Sequence, residues 1–246
     1  MTNLFLSDDQ IFYTVEGEGE LIGHPSVFMR LSMCNLTCIG FKSPDAPFGC
    51  DSFVSWSKKN KYNLEEVINL LDEGGFTKRL KAGAIWKITG GEPLIQQTAL
   101  LELVQEFRNR HGFIPNIDFE TNGTLQPSEE WFDEYCASFT VSPKLASNGD
   151  PEDKRFKPDV LSWHARHYSC FKFVVRNKED AEEVMNKYVN NADILVPLER
   201  IWFMPCAGSR QELVNISAEV AELAKDYGVK FSTRLHLTIW DKALKV

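Results

Sequence analysis

Short polar motifs follow one predicted strand after another along this sequence, and helix-patterned segments follow the motifs. Pro25 to Ser32 alternates Val27, Met29 and Leu31 with Phe28, Arg30 and Ser32, the period of a strand, and runs straight towards Cys34 and Cys38. Ala84 to Thr89 reads as a strand ending in Gly90-Gly91-Glu92-Pro93, with a helical stretch from Leu94 to Arg110 behind it. Asn116 to Glu120 leads into Glu120-Thr121-Asn122-Gly123, and Ser138 to Val141 into Ser142-Pro143-Lys144. Cys170 to Val175 and Ile201 to Met204 continue the series, with helical segments near Lys178 to Tyr188 and Gln211 to Tyr227. Asn63 caps a helical run over Leu64 to Leu71 that Gly74-Gly75 stops. Strand, turn and helix in repetition predict parallel strands with helical crossovers. In such α/β folds, a partial or compact parallel barrel or an open sheet, ligands bind at the strand ends where these motifs fall.

The 246 residues, 43% of them hydrophobic, suffice for one sizeable core, and no interdomain linker or repeat interrupts them, so a single domain over 1–246 is expected. A net charge of −8 disfavours nucleic acid as a partner, because a phosphate backbone needs clustered positive charge. No run of about 18 apolar residues and no basic-then-apolar leader over Met1 to Gln10 is present, so the expectation is a cytoplasmic protein with no membrane partner.

Six cysteines in a chain of this length do not make a disulfide framework. Cys136, Cys170 and Cys206 are scattered and read as small buried hydrophobes. Cys34, Cys38 and Cys50 cluster, with Gly40, Pro44, Pro47 and Gly49 making the stretch between the last two irregular. Three thiolates suit an iron–sulfur cluster with one iron left open, a zinc site completed by His24, or unligated thiols, and spacing alone leaves the choice open.

The surrounding motifs carry a resemblance. Ile11-Phe12-Tyr13-Thr14-Val15-Glu16-Gly17-Glu18-Gly19, Gly23-His24-Pro25 and Phe28-Met29-Arg30-Leu31 lead to Cys34-Asn35-Leu36-Thr37-Cys38. Cys50-Asp51-Ser52, Ile88-Thr89-Gly90-Gly91-Glu92-Pro93-Leu94, Glu120-Thr121-Asn122-Gly123-Thr124, Val141-Ser142-Pro143-Lys144, Lys172-Phe173-Val174-Val175 and Arg234-Leu235-His236-Leu237 follow in order. Together they resemble the 7-carboxy-7-deazaguanine synthases, which are radical S-adenosylmethionine enzymes, over nearly the whole chain. The usual Cys-x3-Cys-x2-Cys spacing is not kept, since Phe41 stands three residues after Cys38. Cys50, followed by Asp51-Ser52, matches the third ligand, which gives Cys-x3-Cys-x11-Cys with a lengthened loop.

The resemblance implies a (βα) barrel of the radical S-adenosylmethionine type. It implies a [4Fe-4S] cluster on Cys34, Cys38 and Cys50, S-adenosylmethionine on its open iron, and Mg2+ on Ser52. Gly49, Cys50, Asp51, Gly90, Gly91, Glu92, Glu120, Asn122, Ser142, Pro143 and Lys144 would border the cosubstrate. Gly90 and Gly91 would admit its methionine portion, and Glu92 would pair with its ammonium group. Val15, Glu16, Gly17, Arg30, Thr89 and His236 would border the substrate, 6-carboxy-5,6,7,8-tetrahydropterin. Arg30 would take the carboxylate by its planar fork, and Glu16 would accept from the pterin's donor edge, although Gln is usual at that position. His236 is read as standing on a strand. No further catalytic side chain is expected beyond the cluster and cosubstrate site.

The implied partners are the small-molecule pterin, an electron donor such as flavodoxin or ferredoxin, and a second copy of the chain as a homodimer. The rival readings are an activase acting on a glycine of a partner protein, which would share the cysteines and the Gly-Gly-Glu-Pro turn, and a zinc-stabilised binding module without turnover.

Overall fold

A computed structural model describes residues 2–39, 49–50 and 52–243. Its strands are β1 (Asn3–Val15), β2 (Pro25–Leu31), β3 (Asn60–Asn63), β4 (Ile85–Gly90), β5 (Ile117–Thr121), β6 (Ser138–Val141), β7 (Ser169–Val175), β8 (Ile201–Pro205) and β9 (Lys230–Phe231). Its α-helices are α1 (Phe53–Trp56), α2 (Leu64–Glu73), α3 (Phe76–Lys81), α4 (Gln97–His111), α5 (Glu130–Asp133), α6 (Glu152–Arg155), α7 (Pro158–Arg166), α8 (Lys178–Val184), α9 (Arg210–Tyr227) and α10 (Leu235–Trp240). The described strands form one sheet in the order β3-β1-β2-β4-β5-β6-β7-β8-β9. From β2 to β9 neighbours run parallel, while β1 is antiparallel to both β2 and β3. Among the described residues no pairing joins β3 to β9, so the sheet is an unclosed, mostly parallel α/β arrangement of the partial-barrel kind. No described helix is long and apolar enough to cross a membrane.

Alternation along the strands sends one set of side chains to each face. Val27, Met29 and Leu31 of β2, Trp86 and Ile88 of β4, Phe119 of β5, Phe139 of β6, Phe171 and Phe173 of β7 and Phe203 of β8 are buried in one core. Helix residues Val67 and Leu71 of α2, Leu100, Leu103 and Phe107 of α4, Leu161 of α7, Val184 of α8 and Val220 of α9 belong to the same core. The residues in between, Arg30, Thr89, Glu120, Ser142, Lys172 and Met204, line a cavity on the opposite face. Helices therefore cover one face of the sheet, and the other encloses polar space.

Local signals explain the helix limits. Asn63 caps α2 by accepting from the Glu66 amide at 2.9 Å, while the Glu66 carboxylate accepts from the Asn63 amide at 2.7 Å, a capping box. The helical stretch predicted from Leu94 begins as a 3-10 turn, Pro93–Gln96, and turns α-helical only at Gln97. His236 lies on α10, not on a strand. Cys136, expected inside, is exposed at a left-handed backbone position just beyond α5.

Two glycines set the geometry of the site. Gly90, with φ 138°, closes β4, and a Cβ there would stand 2.1 Å from the Leu31 carbonyl oxygen. A Cβ on Gly91 would stand 2.0 Å from the Met33 carbonyl oxygen. The gap left by the missing side chains is filled by the backbone just before Cys34, and the Gly91 and Glu92 amides donate to Leu31 and Met33 at 3.2 and 2.8 Å. A Gly91→Ala substitution is expected to cost about 1–3 kcal/mol by overpacking backbone against backbone. Urea denaturation of the two proteins measures it, and equal midpoints would contradict the interlock.

Candidate functional site

A cavity of about 500 Å³ opens at the carboxyl ends of the parallel strands. Of the residues singled out in the sequence, Val15, Glu16, Gly17, Arg30, Cys34, Cys38, Cys50, Ser52, Thr89, Gly90, Gly91, Glu120, Asn122, Ser142, Pro143, Lys144 and His236 all line it. Gly49 does not line it and packs against the backbone of Cys38 and Ile39, while Asp51 and residues 40–48 lie outside the described residues. Glu92 does not line the cavity and is fully buried behind the glycine turn. His24, the alternative zinc ligand, is exposed on the surface and does not line it.

The segment from Met33 to Ile39 is held at every second residue. Met33, at φ 74°, donates its amide to Trp56 O (3.1 Å) and accepts from the Glu92 amide. Asn35 donates to Thr124 Oγ1 (2.8 Å) and accepts from Asn122 Nδ2 (2.9 Å). Thr37 donates from its amide and hydroxyl to Asp150 Oδ1 at 3.0 and 2.9 Å, and the Ile39 amide donates to Asn148 O at 3.0 Å. Gly49, at φ 87°, lies so close to Cys38 and Ile39 that a Cβ would meet their carbonyl oxygens at 2.6 and 2.5 Å. The two ends of the long loop therefore touch, which brings Cys50 back beside Cys38. Burial pushes the Cys34 thiol up to about 11 and raises Cys38 as well. Among the described residues no three His, Cys, Asp or Glu side chains gather closely enough to hold a single metal ion.

Glu92 and Asn122 serve this scaffold. The Glu92 carboxylate accepts from the Leu94 amide (3.0 Å), Thr121 Oγ1 (2.9 Å) and the Asn122 amide (2.7 Å), joining the end of β4 to the end of β5. Burial nevertheless raises it to about 7. Asn122 Oδ1 accepts from Thr124, and its amide group reaches Asn35, so its side chain is committed to the cysteine segment.

In the cavity, opposite charges from separate strands and from the segments beside them meet. Lys172 Nζ stands 2.5 Å from both Glu18 and Glu120, Arg234 Nε donates to Glu18 at 2.8 Å, and Thr89 Oγ1 donates to Glu120 at 3.1 Å. One layer below, Lys87 lies 2.6 Å from Asp118 and 2.9 Å from Glu16, and all three are buried. Burial works against the Lys87 charge, but Asp118 and then Glu16 outweigh it and hold the lysine well above its ordinary range. Glu16 Oε1 accepts from the Gly17 and Glu18 amides at 2.9 and 3.1 Å. Burial raises its carboxyl above the usual range against the pull of Lys87.

Arg30 is placed differently. Its guanidinium lies 5.8 Å from the Phe12 ring, which stacks on Phe28 at 5.1 Å, and its buried Nε has no hydrogen-bond partner among the described residues. His236 packs against Gly17, where a Cβ would come within 2.4 Å of Nδ1, and the Leu235 amide donates to Gly17 O at 2.8 Å. Lys144 Nζ donates to Ser142 O and Oγ at 2.8 and 3.0 Å, which folds that turn over the rim. Sequence reasoning gave no role to Glu18, Lys87, Lys172, Arg234 or Trp56. The available signal was charge at alternate positions of strands whose other positions are apolar, as in Lys87 between Trp86 and Ile88.

The fold and this strand-end cavity define the class, an α/β protein with the architecture of the crystal structure of QueE from Escherichia coli. The two superpose with a TM-score of 0.63 at 21% identity, over 94% of this chain and 95% of the other. The sequence is 30% identical to the 7-carboxy-7-deazaguanine synthase of Pyrobaculum aerophilum, over 95% of this chain and 94% of the relative. It is 31% identical to that of Hyperthermus butylicus, over 96% and 94%. No family model matches the chain. By these relatives the chain belongs to the 7-carboxy-7-deazaguanine synthase family.

Lys172→Met is expected to cost about 3–5 kcal/mol, because Glu18 and Glu120 then face each other without the ammonium between them. Burial pushes Glu120 up, but Lys172 and then Lys87 hold it down at about 2. Its stabilising share is complete above the usual 4.5 and is lost as pH falls towards 2. Chemical denaturation across that window should show wild type and variant converging as pH falls, and a constant gap would contradict the assignment.

Proposed function

We propose that this chain, as a single domain, converts 6-carboxy-5,6,7,8-tetrahydropterin to 7-carboxy-7-deazaguanine with loss of ammonia, as a radical S-adenosylmethionine carbon–nitrogen lyase. The observation that carries the reading is one cavity lined both by Cys34, Cys38 and Cys50 and by Arg30, whose buried Nε lacks a partner among the described residues.

The donor set fits a [4Fe-4S] cluster. Three soft thiols open into one cavity, and thiolate is the donor such a cluster takes. When bound, the cluster and S-adenosylmethionine supply the 5′-deoxyadenosyl radical that takes a hydrogen from the substrate.

The chain's own residues do the rest. Arg30 receives the substrate carboxylate by charge-assisted hydrogen bonds, with its guanidinium held over the Phe12 ring. The Glu18–Lys172–Glu120 array and Thr89 offer fixed acceptors and donors to the polar pterin ring, and being already paired they need little rearrangement as charge shifts. Glu16 shapes the Gly17-Glu18 backbone, and Val15, Gly17 and His236 close the wall on that side. On the cosubstrate side Gly90 and Gly91 admit the backbone that carries Cys34 and line the cavity at the strand end, while Ser142, Pro143 and Lys144 line it as well. Ser52, at the start of α1, offers a hydroxyl to Mg2+, a hard cation that accepts oxygen ligands and retains waters. A flavodoxin- or ferredoxin-type donor and a second copy of the chain complete the partners this reading implies.

Anaerobic incubation with dithionite, Mg2+, S-adenosylmethionine and the pterin should yield 7-carboxy-7-deazaguanine and 5′-deoxyadenosine by mass spectrometry. Deoxyadenosine alone would discard the substrate assignment, and neither product from cluster-loaded protein would discard the enzyme. In the same preparations Cys50→Ala is expected to lose bound iron and Cys206→Ala to keep it. Equal iron in both would overturn the ligand assignment.

A further inference from the structure

The long segment between Cys38 and Cys50 raises a question of precision, since a cluster tolerates little play in its third thiolate. Trp56 answers it from both sides. Its indole Nε1 donates to Cys50 Sγ at 3.5 Å, and its carbonyl accepts from the Met33 amide at 3.1 Å, next to Cys34. The Trp56 ring packs edge-on to Phe53 at 5.0 Å, inside the helical turn α1 that begins three residues after Cys50. Its side chain is half-buried and lines the same cavity as the cysteines.

We propose that Trp56 is a positioning residue for the iron–sulfur cluster: it fastens Cys50 to the Cys34 end of the loop, and its indole N–H hydrogen-bonds the Cys50 thiolate and raises the cluster's reduction potential. The inference rests on the cluster reading above. A reduced cluster carries more negative charge on its sulfurs than an oxidised one, so a donor aimed at a sulfur stabilises the reduced form more. A half-buried donor, partly shielded from competing water, has the stronger effect. The other two thiols also meet donors, the Leu36 backbone amide at Cys34 and the Asn148 side chain at Cys38. Trp56 is distinguished because it ties one ligand to the segment of another.

The test compares wild type with Trp56→Phe, which keeps a ring against Phe53 and removes the N–H. Iron content and electron paramagnetic resonance of reduced wild-type protein come first, and their failure would remove the cluster reading itself. With the cluster present, a redox titration followed by the same resonance should place the Trp56→Phe midpoint below that of wild type. An equal or higher midpoint would overturn the donor role. Should Trp56→Phe fail to load iron, alkylation of the cluster-free proteins, resolved by peptide mass spectrometry, decides the fastening. Cys50 should then react faster in the variant while exposed Cys136 reacts at an unchanged rate, and an unchanged Cys50 rate would overturn the proposal.

Discussion

Backbone packed against backbone is the contact on which this site is built. Where β4 ends, Gly90 and Gly91 present no side chains, and the chain leaving β2 fills that space and takes two amide hydrogen bonds from the turn. Met33 is thereby held in a left-handed conformation that a methionine does not favour, and the next residue is the first cysteine. The strain is local, and the surrounding hydrogen bonds from Trp56 and Glu92 over-determine it. Every other tether of the cysteine segment, through Asn35, Thr37 and Ile39, extends an arrangement that starts at this glycine pair.

The sheet's second task is to carry charge where most sheets carry none. Its helix-covered face is hydrophobic, and its cavity face holds two layers of ion pairs, Lys87 with Glu16 and Asp118, and Lys172 with Glu18 and Glu120. Buried pairs of this kind contribute little net stability, since desolvation offsets much of the attraction. Their value is orientation: groups that already neutralise one another are fixed before any ligand arrives. Arg30 contrasts with them, a cation on the same face with an aromatic neighbour and a buried nitrogen that has no partner among the described residues.

Much of this was legible in the sequence because period-2 alternation and turn residues coincided. The limits of β2, β4, β6 and α2 fall within a residue or two of the pattern. The longest strand, β1, was missed for a physical reason. Its register against β2 shifts between Leu6 and Ile11, so the alternation of its first half is out of phase with that of its second. α10 was missed because six residues including Thr238 and Ile239 give little helical period, and its position depends on Gly17 and the α9 end rather than on propensity. The site's motifs announced which loops matter but not which residues hold the others. Glu92 reads in the sequence as pairing with a ligand, whereas its carboxylate binds the scaffold behind the cavity, a distinction that depends on contacts between strand ends remote in sequence.

The Glu16–Lys87–Asp118 group has a consequence for the charge buried beneath the cavity. Glu16 and Asp118 place two carboxylates around the single ammonium of Lys87, so full ionisation would leave one negative charge in excess in a buried place, and burial accordingly raises the Glu16 carboxyl. A proton held on Glu16 leaves Lys87 and Asp118 as a neutral pair, so this part of the interior need not carry a net charge.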